Sequence, residues 1–203
     1  MNGENDMPIE RCEWPKTELL IAYHDEEWGT PSHDDRHLFE HLVLEGAQAG
    51  LNWELVLKKR EGYRRAFADY DLEKITRFTE AHIEKLTQDP GIVRNRAKIR
   101  SVIVNARAAL KVQAEFGTLA TLLWDLVGGK TRHNRWTKLS QIPAVTPDSE
   151  RISKDLTRRG FQFFGPTGAY AFMQAVGLVN DHVVSCYRYK QLRRGEGPAK
   201  PLG

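Results

Sequence analysis

The sequence predicts an all-α protein, and three observations carry that reading. Apolar residues recur at helical spacing through most of the chain. No run alternates apolar and polar residues over the length of a half-buried strand, and helix start and stop signals are well formed at the clearest segment. The 203 residues are 40% hydrophobic and 28% charged, enough apolar material for one domain with a real core. Mean hydropathy is −0.54, the balance of a soluble globular chain. No apolar run approaches the roughly 20 residues of a membrane-spanning helix, and the first ten residues are acidic where a signal peptide is basic and then apolar. A cytosolic location is the expectation.

Residues 1–10 read as a flexible arm. The first helix is expected over 34–49, where Leu38, Leu42 and Ala49 fall within roughly 40° of one another on a helical wheel. Helices over 54–67, 71–77 and 80–87 follow. A longer one, over 94–115, carries the apolar stripe Ile99, Val102, Ile103, Ala106 and Leu110. After a helix over 118–127 comes the best-marked one, over 147–159. Thr146 is its N-cap, Pro147 takes N1, Asp148 and Glu150 suit the first turn, and Arg158 and Arg159 precede Gly160 at the end. Residues 161–167 are too short for another element and lead into an apolar helix over 167–177, giving helix, tight hairpin, helix. The last helix is expected over 181–188. Residues 11–188 form a single domain on this reading, and 189–203, with its glycines, prolines and charges, reads as a mobile basic tail.

The net charge of +3 is misleading as a total, because residues 188–203 carry +4 and leave −1 for the rest. Only a local patch argues for nucleic acid. One exists on the 94–115 helix, which has no acidic residue up to Lys111; Arg96, Arg100, Arg107 and Lys111 share a face. Phosphate contact and a solvated face both fit that stripe. Gly165 and Thr167 strengthen the first reading, since backbone N–H groups at a glycine turn before a helix bind anions.

Glu45 lies in the apolar stripe of the 34–49 helix, about 20° from Leu38 on the wheel. A carboxylate there is costly unless a polar or cationic group meets it. It faces either a pocket or, at the helix edge, water. The turn Gly50, Leu51, Asn52 follows, then Trp53, with Trp14, Tyr23 and Trp28 upstream. Aromatic walls with one carboxylate suit a flat, electron-poor ring, although core packing explains such aromatics too. His33, His37 and His41 recur every fourth residue and read as a solvated stripe.

Two cysteines argue against a disulfide scaffold. Cys12 with His24, and His182 with Cys186 four residues on, make a Cys2His2 zinc set possible. On a helix the latter two would share one face. Two inert buried cysteines fit the spacing as well, since the first pair matches no standard finger.

Four blocks then carry a resemblance: 11–14 (RCEW), 22–29 (AYHDEEWG), 44–53 (LEGAQAGLNW) and 177–184 (GLVNDHVV) followed by Cys186. Residues 56–60 (VLKKR), 91–94 (GIVR) and 172–175 (FMQA) support it. Over 11–187 the chain resembles the 3-methyladenine DNA glycosylase I family of the helix-hairpin-helix glycosylase superfamily. The resemblance implies a helix-hairpin-helix fold whose two chain ends are joined by a structural zinc on Cys12, His24, His182 and Cys186. It implies a base-recognising Glu45, stacking walls Tyr23 and Trp53 with Trp14 nearby, and Leu51 beside Gly50 filling the duplex gap. The 161–167 hairpin would hold phosphate. Related glycosylases place a catalytic aspartate where this chain has Asn180, as the family does, and Leu20 stands where some members have a pocket aromatic.

The implied activity is monofunctional hydrolysis of the N-glycosidic bond of 3-methyladenine in alkylated double-stranded DNA. The protein would act as a monomer without lyase chemistry. A zinc-stabilised damage-binding module without activity competes with it. A zinc hydrolase using Glu45 as general base needs an open coordination site, which four protein ligands argue against.

Overall fold

The computed structural model describes residues 9–195. Its helices are α1 (Glu18–Glu26), α2 (Asp35–Gln48), α3 (Trp53–Lys58), α4 (Arg60–Ala66), α5 (Leu72–Thr76), α6 (Glu80–Leu86), α7 (Arg96–Phe116), α8 (Leu119–Asp125), α9 (Pro147–Arg158), α10 (Pro166–Ala175) and α11 (Tyr187–Arg193). The all-α expectation holds except for one two-residue parallel pair, β1 (Arg132–His133) with β2 (Val179–Asn180). Among the described residues no helix is long and apolar enough to cross a membrane.

The Asp34 side chain caps α2 by accepting from Arg36 N, and residues 38–47 are buried without interruption. A helix buried on every face is a core helix. Leu38, Phe39 and Leu44 lose all contact with solvent, each contributing roughly 1.5–3 kcal/mol. Helix α10 packs on α2 and on α9, while α5 and α8 pack on α7. Helix α9 begins as its sequence demands, with a Thr146 to Ser149 capping box and Pro147 at N1. The expected hairpin joins α9 to α10. Asn105 holds it by donating to Gln162 O at 3.1 Å and accepting from Gln162 N at 2.8 Å. Ser153 adds a bond to Phe164 O at 2.7 Å.

A second, smaller cluster gathers Cys12, Tyr23, Trp28, Leu57, Val183 and Cys186, so the two chain ends meet. Here the structure corrects several expectations. Helix α1 lies where none was expected, because Leu19 to Ala22 run apolar in sequence and form no stripe. The Thr17 side chain caps it, and only Tyr23 and His24 of its residues are buried. The segment 54–67 breaks at Lys59, beyond which Gly62 sits against Gly91 so closely that a Cβ would lie 2.0 Å from a carbonyl oxygen. No helix forms over 181–186. The Asn180 side chain accepts from His182 N instead, and Cys186 becomes the N-cap of α11. Residues 189–193, expected in the tail, are helical with Tyr189 and Leu192 buried. The rest of the expected tail, 196–203, and most of the 1–10 arm lie outside the described residues.

Candidate active site

Consecutive residues of a helix point about 100° apart, and α1 uses this to serve two sites at once. Tyr23 faces an aromatic cavity of about 330 Å3, which Trp14, Trp28, Glu45, Gln48 and Trp53 also line. The rings of Tyr23 and Trp53 have centroids 5.5 Å apart, and Trp14 meets Tyr23 edge-on at 6.3 Å. Glu45 comes from the middle of α2. It is 6% exposed and makes no hydrogen bond with the described residues. Burial alone pushes its carboxyl up to about 8. Of the two orientations the sequence left open, the buried one is found.

A second cavity of about 320 Å3 shares Glu45 and Gln48 and is bounded by Phe163, Gly165 and Thr167 of the hairpin. Gly165 is the N-cap of α10, and both it and Thr167 are exposed. Ala49 bounds the same cavity, and just beyond it Gly50 adopts φ +77 and Leu51 is 38% exposed. Exposed Phe163 lines the cavity from the hairpin, and exposed Leu51 stands two residues past Ala49 on a separate loop.

His24, the other face of α1, meets the cysteines. Its Nε2 lies 3.6 Å from Cys186 Sγ, and one donor atom from each of Cys12, His24 and Cys186 lies within 4.8 Å of the others. The proximity of the two thiols pulls Cys186 down from the ordinary thiol value and, with burial, pushes Cys12 up. The His182 ring lies 4.8 Å from that of His24, and its Nε2 is buried without a partner. Both imidazoles are held through Nδ1, His24 by Asp25 Oδ1 at 2.7 Å and His182 by Asn180 Oδ1 at 3.0 Å. Cys12, His24 and Cys186 thus bring together three donors of the kind zinc takes, and His182, whose ring touches that of His24, lies outside that close group. Gly29 allows the approach, since a Cβ there would lie 2.9 Å from the His182 ring.

The expectation of a solvated histidine stripe fails at two of its positions. His41 is wholly buried and His37 largely so, because both ring Nε2 atoms bond Glu27 Oε1, at 2.6 and 2.9 Å. Arg60 grips Glu27 at 2.6 and 2.7 Å and Glu40 at 3.0 Å twice, and Arg64 adds to Glu40. Burial opposes ionisation of Glu27, but hydrogen bonds from His37, His41 and Arg60 hold it well below the ordinary carboxylate range. Arg96 and Arg100, candidates for phosphate contact, are exposed and pair with acids of α6. Arg96 binds Glu80 and Glu84, and Arg100 binds Glu80 at 2.7 Å. The basic stripe of α7 is therefore partly neutralised from a neighbouring helix.

The model of the methyladenine glycosylase family matches residues 14–189. The chain belongs to that family. DNA-3-methyladenine glycosylase 1 of Escherichia coli (strain K12) is 48% identical over 182 residues, 89% of this chain and 97% of that protein. A crystal structure of a 3-methyladenine DNA glycosylase I superposes with a TM-score of 0.86 at 46% identity, covering 88% of this chain and 98% of the other. A variant of such an enzyme in complex with 3-methyladenine gives 0.83 at 35% identity over 85% and 92%.

Within this methyladenine glycosylase, Asn180 is engaged in structural hydrogen bonds. Its side chain bonds His182 and its Nδ2 reaches Tyr189 O at 3.4 Å. The neighbouring carboxylate, Asp181, is buried and fully engaged. It accepts from Asn134 and Trp136 at 2.7 Å, Tyr170 at 2.5 Å and Gln174 at 2.8 Å. Since Gln174 lines the aromatic cavity, Asp181 fixes one of its walls. Sequence reasoning missed Asp181, Glu27 and Arg60 as site-building residues. Glu27 and Asp181 lie inside the four blocks of the resemblance and Arg60 in a supporting stretch, which was the available signal. Leu20 packs at the edge of the cluster of chain ends without lining the cavity.

Proposed function

We propose that this methyladenine glycosylase binds alkylated double-stranded DNA, turns a 3-methyladenine nucleotide into the cavity and hydrolyses its N-glycosidic bond. One observation carries the reading: an unpartnered, buried carboxyl, Glu45, among aromatic faces. A neutral ring gives that group nothing to ionise for, whereas a cationic purine between Tyr23 and Trp53 supplies the missing charge. Methylation at N3 makes the purine a cation and so a better leaving group.

Water attacks C1′ of the sugar, the bond to N9 breaks, and its electron pair neutralises the ring. The attacking water's second proton passes to solvent. Because the cation exists before cleavage and not after, the pairing with Glu45 favours entry and fades with product formation. No lysine nucleophile is involved, so the product is an abasic site without strand scission. Trp14 closes the cavity, Leu51 beside Gly50 occupies the gap left in the stack, and Gly165 and Thr167 offer backbone N–H groups to phosphate.

Cys12, His24, His182 and Cys186 would hold a zinc ion, which supplies structure by tying the chain ends together and leaves no open position for water. The protein acts as a cytosolic monomer. The test is incubation with methylated duplex DNA and chromatography of the released bases. The reading requires free 3-methyladenine from the wild type and its loss in Glu45→Gln. Binding without release would instead favour a damage-binding module.

A further inference from the structure

Lys98 stands against its own helix. It occupies the third position of α7, after the Asn95 N-cap, in a first turn without any acidic residue. A cation there opposes the positive end of the helix dipole. A residue that breaks a local rule calls for a compensating contact elsewhere, and the contact is on α2. Lys98 Nζ donates to Ala47 O at 2.9 Å and to Ala49 O at 2.7 Å. These carbonyls close the C-terminal end of α2, among the groups that a helix leaves without internal partners. They also lie directly before Gly50 and Leu51. Seven residues along α7, on the same face, Asn105 holds the hairpin through both polar atoms of Gln162. One helix therefore holds both the hairpin and the end of α2, whose residues Phe163 and Ala49 line the second cavity and the latter of which leads into the Leu51 loop.

We infer that Lys98 is a positioning residue for the Leu51 loop, fixing where that side chain stands relative to the hairpin and screening the negative end of α2 from the phosphates of DNA. The inference rests on Leu51 acting as the group that enters the duplex. Without Lys98, the carbonyl end of α2 would face a polyanion uncompensated, and the Gly50 turn would lose its anchor. The base cavity would stay intact, because Lys98 does not line it. Lys98 also differs from a phosphate contact: two of its donors are already taken by protein, and burial lowers its ammonium from the ordinary lysine value.

The experiment compares wild type, Lys98→Met, Lys98→Arg and Leu51→Ala in single-turnover excision from methylated duplex DNA. Binding of free 3-methyladenine, followed by tryptophan fluorescence, and thermal unfolding are measured alongside. Lys98→Met should lose on the order of 10- to 100-fold in duplex excision, the scale of a small misplacement. It should bind the free base as wild type does and unfold within a few degrees of it. Lys98→Arg, which keeps the cation and its donors, should recover most of the loss. The slope of log affinity against log salt should stay within a few tenths of wild type, where loss of a direct phosphate contact would lower it by about 0.9.

Unchanged duplex excision by Lys98→Met overturns the inference, as does equal loss of free-base binding, which would make Lys98 a general stability residue. A slope change of a full contact overturns it too. If Leu51→Ala excises normally, the reading of Leu51 fails. If Leu51→Ala is impaired and Lys98→Met is not, only the inference about Lys98 fails.

Discussion

Replacing Glu45 by glutamine should stabilise the empty protein at neutral and alkaline pH even as it removes function. Burial raises Glu45 from 4.5 to about 8, so between those values the folded chain holds a proton that the unfolded chain has released. Stability therefore falls as pH rises through this window. The effect is absent below the unfolded value and complete above the folded one. At about 1.4 kcal/mol per pH unit, its ceiling is roughly 5 kcal/mol. Glu45 is only 6% exposed, so solvent screening reduces this little. The amide is nearly the same shape and neutral throughout, so the variant lacks the effect.

Urea unfolding of both proteins from about pH 5 to about pH 9, at fixed zinc, isolates Glu45, because every other group titrates in both. The advantage of the variant should grow by about 1.4 kcal/mol per pH unit and level off near the folded value. A difference that is flat or shrinks with pH would refute the reasoning, since Glu45 would then be solvated or already partnered.

Glu27→Gln should cost about 1–3 kcal/mol in urea unfolding, because it weakens the hydrogen bonds of buried His41 and leaves the half-buried Arg60 with Glu40 alone. The depressed value of Glu27 stabilises the fold above the unfolded carboxylate range and is lost as pH falls, so the acid transition of the variant should be the shallower one. Cys186→Ser should lower bound zinc, measured by atomic absorption, and lower the melting temperature together. A variant with full metal content and wild-type stability would exclude Cys186 as a ligand. Arg96→Ala should leave the salt slope of DNA binding unchanged, since Glu80 and Glu84 already compensate that charge; a fall of about 0.9 would restore it as a phosphate contact.

Legibility in the sequence followed how local each signal was. The ends of α9 and the apolar stripes of α2 and α7 are written within a few turns of chain, and they appear where expected. Glu45 was legible for the same reason, as a carboxyl misplaced on its own helix. Helix α1 was not, because it buries only two residues and shows no periodicity. The solvated reading of His41 failed because its partner Glu27 lies 14 residues away and Arg60 lies 33 from Glu27. A helical wheel sees only residues on the same helix. The ion pairs of Arg96 were hidden for the same reason, its partners sitting on α6. The meeting of the cysteines and histidines was the least local feature, with Cys186 and His24 separated by 162 positions. Only the blocks of the resemblance singled it out.

The weakest element in the sequence, α1, nonetheless supplies one wall of the cavity. A nine-residue helix with two buried side chains has little stability of its own, so its placement depends on what holds those side chains and its end. His24 is held in the cysteine and histidine cluster. Glu27, just beyond the last turn, is held by Arg60, His37 and His41, and the His41 ring backs both Tyr23 and Trp53 at 6.4 and 6.3 Å. Tyr23 lies between these two polar anchors. Apolar packing alone would let such a short segment slide or turn at small cost, whereas directional bonds to Nε2 and to a carboxylate fix its rotation. A site that must sandwich a flat ring needs that rotation fixed, which gives a physical reason for building this wall on buried polar groups.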